Sequence, residues 1–222
     1  RTTRTRLVDE LPMVETAVRV PSGDVVATSY AAAGDGGRGE VVVEVHNGSP
    51  VPVAVALVLG PVEDVTLDGD AVVVGDEVLL RLGRRPGEIV RAATLDDLAE
   101  FVAGDERPGA TAGAYAAVVM PLPHAQRVRV VAGRGAPAAM PQIDQVAAGW
   151  STHLDRGATV VLPEPMAASA RRLVATAGLG PAAGAATAEV AAHLRARLHL
   201  GWFTEATELT DRVLAARRAR GS

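Results

Sequence analysis

The chain contains no cysteine in its 222 residues. Disulfides, thiolate nucleophiles and Cys-based zinc sites are thereby excluded. Lysine is missing too, so all 22 basic residues are arginine. With the abundant Ala and Val, this points to GC-rich coding DNA, as in a GC-rich bacterium. Aromatic residues make up only 3% of the chain, which leaves few platforms on which a sugar or base could stack. No apolar run reaches the ~18–20 residues that span a bilayer. The longest, VPVAVALVLGPV, is broken by Pro and Gly. With a net charge of -4 there is no basic field to hold a nucleic-acid backbone, and the Arg-rich ends read as solvated termini. Neither a nucleic-acid nor a membrane partner is expected. The N-terminal RTTRTRLVDE shows no signal-peptide core, which makes the cytoplasm the expected location.

What the chain does have is a change of period. From Leu7 to about Arg134 the signals are those of short strands. VETAVRV (Val14–Val20) stops at Pro21-Ser22-Gly23-Asp24, and GDGGRG (Gly34–Gly39) reads as a hairpin loop rather than a phosphate loop, because no GK[ST] follows. EVVVEVHNGS places Val41, Val43 and Val45 on one side and Val42, Glu44 and His46 on the other, and ends at Asn47-Gly48, a hairpin signal. VPVAVALVL (Val51–Leu59) is apolar on both faces, as in a strand covered on both sides. Further hairpins fit around Asp68-Gly69-Asp70 and Gly75-Asp76. One helix interrupts, with Thr94 as N-cap, Asp97 three residues on, and Leu95, Leu98 and Val102 on one face. YAAVVMPLP and RVRVVAG then resume the strand pattern. Short strands at this spacing predict an antiparallel β-sandwich over residues 1–134.

After Gly135-Ala136-Pro137 the period becomes helical. Ile143, Val146, Ala147, Trp150 and Leu154 share a face, with Gly157 at C′. ATVVLPEP is extended, and Pro165 suits a first helical turn. Met166, Ala170, Leu173, Val174 and Ala177 form the next apolar face, and Leu179–Ala186 is a small-residue linker. A helical hairpin closes the chain. Val190, Ala191, Leu194 and Leu198 line its first helix, GWF makes its corner, and Ala206, Leu209 and Val213 line its second, capped by Thr204. Residues 135–222 thus read as a linker helix and incomplete toroid-like helices. The fold class is β-rich plus α.

The stretch from Trp150 to Thr176, with Leu162-Pro163-Glu164-Pro165 at its joint, resembles the linker of the six-hairpin glycosidases. The corner Leu200-Gly201-Trp202-Phe203-Thr204-Glu205-Ala206 resembles the first hairpin of their (α/α) toroid, and EVHNGSPVPVAVALVL is similar to core strands of their supersandwich. The resemblance spans most of the chain. It implies an accessory, non-catalytic N-terminal region of a glycoside hydrolase-like, carbohydrate-active protein, packing against a helical catalytic domain. In that family the catalytic carboxylates come from later toroid loops, so no catalytic residue is carried over. A stand-alone structural or binding module is the alternative. An active glycosidase is a third, if a toroid is supplied elsewhere. The implied partners are a carbohydrate and a helical domain or a second copy.

Glycoside hydrolysis needs paired carboxyls about 5–9.5 Å apart. Asp155, Glu164 and Glu205 are the acids nearest these motifs; Glu205 has a simpler role at a helix end and Glu164 in a solvated linker, while Asp155, near a helix C-terminus, is unexplained by dipole logic. The candidates for sugar contact are Trp202, Tyr30 and Glu205. His46, His124, His153, His193 and His199 include no i, i+4 pair, so no metal site is expected, and no cofactor motif occurs. Ser22, Ser29, Ser49 and Ser169 lack the G-x-S-x-G context of a nucleophile elbow.

Overall fold

Alternation in EVVVEVHN becomes β4 (Gly39–Asn47), the strand around which the sheet-rich part is built. The computed structural model describes residues 2–33, 39–62, 64–104, 113–133, 141–158, 161–163, 166–179, 181 and 185–220. The expected glycine loop at 34–38, and Glu164 and Pro165 of the proline joint, lie outside them. The chain divides into a unit of residues 1–6 and 13–141 and a unit of residues 7–12 and 142–222. The first unit ends at Pro141. The Tyr30 hydroxyl donates to the Pro141 carbonyl at 3.1 Å, which ties that segment to the sheet.

In the first unit, eight strands run in the order β1-β2-β3-β4-β11-β8-β7-β6. They are β1 (Thr3–Leu7), β2 (Met13–Val20), β3 (Gly23–Ala33), β4, β6 (Val65–Asp68), β7 (Ala71–Val74), β8 (Glu77–Leu82) and β11 (Arg127–Ala132). A second sheet has the order β5-β10-β9, formed by β5 (Val53–Leu59), β10 (Tyr115–Leu122) and β9 (Glu88–Ala92). Val45, Val72, Leu82, Val128 and Val130 of the large sheet share one core with Val118, Met120 and Leu122 of the small one. This is the expected sandwich. The hairpins at Gly69 and Gly75 form as the sequence suggests, linking β6 to β7 and β7 to β8.

Three expectations are corrected. Asn47-Gly48 ends β4, but it does not close a hairpin. β4 pairs with β3 and β11, and the chain crosses to the other sheet as β5. β5 is not the doubly covered strand. It is an edge, and Val58 is 52% exposed. The covered strand is β10, with Val118 and Met120 in the inter-sheet core and Ala117 packed on the other side with Ala92 and Leu98. Leu98 belongs to α1 (Leu95–Ala103), whose cap forms as expected, the Asp97 amide donating to the Thr94 hydroxyl oxygen at 3.1 Å. Leu95, however, faces solvent.

The Asn47 side chain holds the sheet crossing. Its amide donates to the carbonyls of Val51 and Leu122 at 2.8 and 2.9 Å, and its oxygen accepts from the amide and hydroxyl of Ser49. Both Asn47 and Ser49 are fully buried, so Ser49 is a structural serine. The β2–β3 turn lies against this corner so closely that a Cβ on Gly23 would fall 2.5 Å from the Ser49 Cα.

The second unit contains α2 (Ile143–Asp155), α3 (Met166–Leu179), α4 (Thr187–His199) and α5 (Phe203–Arg220). Glu10, in the 7–12 segment, accepts from the Arg172 guanidinium of α3 at 2.7 and 2.9 Å. The predicted inner face of α5 holds, with Ala206 and Leu209 buried. Other faces differ. Leu173, Leu198 and Met166 point to solvent, whereas Ala175 and Arg197 are buried. Helix α5 begins at Phe203, one residue before the expected cap Thr204, and the Ala206 amide bonds the Trp202 carbonyl.

Candidate functional site

The sequence-level candidates separate. Tyr30 lies in β3 of the sheet unit and is 3% exposed. Burial raises its hydroxyl above the usual phenol range; Arg129 opposes this and Glu44 adds to it. Its ring offers no open face for stacking. On the same side of the sheet, Glu44 of β4 accepts from Arg127 and Arg129 of β11, each at 2.8 Å. Burial works to raise the Glu44 carboxyl, but the hydrogen bonds and charges of these two arginines outweigh it and hold the carboxyl below its ordinary range. This trio is a cross-strand ion-pair cluster in which both Glu44 oxygens are bonded and the buried Arg129 Nε has no partner among the described residues.

Trp202 and Glu205 do come together, in the helical unit. Trp202, at the α4–α5 corner, is 2% exposed. The ring of His153 from α2 stacks on it with centroids 4.5 Å apart and planes at 30°. Trp150, one turn earlier on α2, meets His153 edge-on at 5.8 Å. Glu205, in the first turn of α5, places Oε1 3.6 Å from His153 Nδ1. That is too long for a hydrogen bond, and it becomes an ion pair only when His153 is protonated. Burial lowers the proton affinity of His153; Glu205 opposes this, while Arg156 and Arg197 reinforce it.

Backbone approach shapes the site. A Cβ at Gly157 would meet Trp202 Nε1 at 2.7 Å, and one at Gly178 would lie 3.3–3.4 Å from the rings of His153, Trp150 and Trp202. Gly157 therefore acts as the floor under the indole as well as the expected helix stop.

Arg197 braces the site from α4. Its guanidinium donates to the Glu205 carbonyl at 2.9 Å and to the Gly178 carbonyl at 3.4 Å, bridging α3 and α5. Burial depresses its proton affinity, as does nearby Arg212; Glu205 and Glu208 oppose this. Arg197→Met should cost about 1–2 kcal/mol, because lost bonds to buried carbonyls are partly offset by a refilled volume and a relieved desolvation penalty. Urea unfolding followed by tryptophan emission checks this, since both tryptophans belong to the helical unit. An unchanged midpoint would show that the brace is idle.

The chemistry available here is limited. Glu205 is paired with an imidazole rather than with a second carboxyl, and Asp155 is exposed. Among the described residues, no group of three or more His, Asp or Glu side chains could hold a metal ion, and no helix is long and apolar enough to cross a membrane. His153 and Arg197 were not singled out by the sequence. The usable signal was Trp150 and His153 at i, i+3 on one helix face. No family model matches the chain, and no curated protein or solved structure matches it.

Proposed function

We propose that the chain is a non-catalytic, accessory part of a glycoside hydrolase-like, carbohydrate-active protein, and that its helices pack against a further helical domain. The observation carrying this reading is the apolar surface left on the helical unit. Leu173 is 71% exposed and Phe203 65%, and Met166, Leu198 and Leu214 are also open. Residues of this size on every helix from α3 to α5 are what an unfinished helical array presents before its next layer covers it. The resemblance of the Trp202 corner to a toroid hairpin supplies the carbohydrate part of the reading. The pairing of Glu205 with His153 supports the non-catalytic part.

The test combines intact mass and light scattering of the natural gene product with carbene footprinting of Leu173 and Phe203. A product well above 22.8 kDa, or a stable complex, with both residues protected is the expected result. A monomer of that mass with both residues labelled would sink the proposal and leave the stand-alone module. The chain by itself should release no reducing sugar from any glycan offered.

A further inference from the structure

The two sheets of the first unit end in four edge strands, and three of them are blunted in ways that discourage pairing. β1 carries Arg4 and Arg6, and β6 is four residues long and ends in Asp68. β9 carries Glu88 and Arg91, with α1 packed on it. The fourth, β5, reads VAVALVL: it has no charge, and at seven residues it is the longest edge. It pairs with β10 alone, and among the described residues no further hydrogen bond reaches Val53–Leu59. Its core-facing side chains are left short of cover too. Val55, Leu57 and Leu59 pack on the inter-sheet core but are only partly buried. Their β10 partners Met120, Val118 and Ala116 are at most 1% exposed.

We propose that β5 is a dimerisation edge, onto which the β5 of a second copy of this chain adds antiparallel about a two-fold axis at Ala56. That register sets Val53 opposite Leu59, Ala54 opposite Val58 and Val55 opposite Leu57. The exposed Val58 thus meets a small residue, and each core-facing side chain gains a neighbour on its open side. The contact is isologous and closes on itself, joining two three-stranded sheets into one of six. Charge selects this occupant. The same operation on β1 would set Arg4 against Arg6. On β5 it meets no charge, whereas a charged peptide would have to desolvate its own groups there. It also turns unlike ends together. The exposed His124, with Nδ1 2.6 Å from the Ser49 carbonyl, flanks one end, and the exposed Asp64 flanks the other. Seven paired residues span about 24 Å of a layer about 10 Å thick, a footprint of roughly 240 Å². A standard interface buries about 800 Å² per partner, so this dimer is weak and reversible.

Sedimentation equilibrium of the full chain from about 10 µM to about 1 mM should therefore show a reversible dimer. Ala54→Lys combined with Val58→Lys puts like charges opposite each other twice, and should lower the association constant about tenfold. Ala54→Lys combined with Val58→Glu puts unlike charges opposite each other in the same register. Association should then return to within about threefold of wild type. Both positions face solvent in the single chain, so its fold should bear either pair. A wild type that stays monomeric at the highest concentration would overturn the proposal. So would a dimer undiminished in the first variant, or no recovery in the second. Should the first variant not fold, hydrogen exchange of the wild type decides. Slower exchange along Val53–Leu59 at high concentration upholds the edge, and unchanged exchange refutes it. A dimer that protects Leu173 and Phe203 while β5 exchanges freely belongs to the apolar helices, and it too refutes the edge.

Discussion

Trp202→Ala is expected to destabilise the helical unit by about 3–5 kcal/mol, the range for deleting a fully buried aromatic side chain. Two features place it at the upper end. The ring abuts Gly157 and Gly178, which carry no side chain that could relax into the cavity. The indole also stacks on His153 and lies between Gly157 and Gly178, and all three lose their partner together. Its Nε1 has no hydrogen-bond acceptor, so no lost bond adds to the cost. Urea unfolding read by the remaining Trp150 gives the number. A loss below about 1 kcal/mol would mean that the corner is held by something other than its wedge.

Asn47→Ala should be the most damaging small change in the sheet unit, at about 2–4 kcal/mol. The side chain itself is small. The cost arises because its removal takes a donor from the Val51 and Leu122 carbonyls and the acceptor from the Ser49 amide at once, at a position with no solvent access, and only the Val51 carbonyl keeps a second donor, the Ser49 hydroxyl. Asn47→Asp separates the two halves of that network, since a carboxylate can accept from Ser49 but cannot donate to either carbonyl. It should be at least as destabilising as alanine. Hydrogen exchange on β5 and β10 is the appropriate readout. Unchanged protection of those strands in both variants would show that the corner is redundant.

Strands were legible because alternation is a local signal. Each strand of EVVVEVHN and RVRVVA sets its polar and apolar sides by itself, and the structure pairs Glu44 with Arg129 on one side and Val43 with Val130 on the other. Which strand is central was not legible, because β5 and β10 are both apolar and burial depends on neighbours distant in sequence. The asparagine at the end of β4 was recognised as a stop. Its destination was not, since a turn dipeptide carries no information about which sheet receives the next strand.

The helices failed in a more specific way. Large apolar residues normally mark the inner stripe, so Leu173 and Leu198 were placed inside. In this unit the buried helix positions among the described residues are Ala175, Arg197, Ala206 and Leu209, with Trp202 at the corner. On α3 and α4 the buried positions therefore fall to an alanine and an arginine, and Leu173 and Leu198 stay outside. The candidate site was half visible, with Trp202 and Glu205 read from the corner motif. Their meeting with His153 is a tertiary contact between α2 and α5 that no periodicity records.

The pairing of β4 with β11 has a consequence for the order in which the molecule takes shape. Val43 cannot find Val130 until nearly the whole sheet-forming sequence is present, and closing a loop that long must precede any reward from the pair. The helices touch neighbours in sequence, α2 with α3, α3 with α4 and α4 with α5, while Glu10 reaches Arg172 from the far N-terminal segment and His153 meets Trp202. Most helix–helix contacts can therefore form locally, while the sheet must wait for its own last strand. The sheet is the expected slow step of folding, set by the distance along the chain between two valine-rich segments.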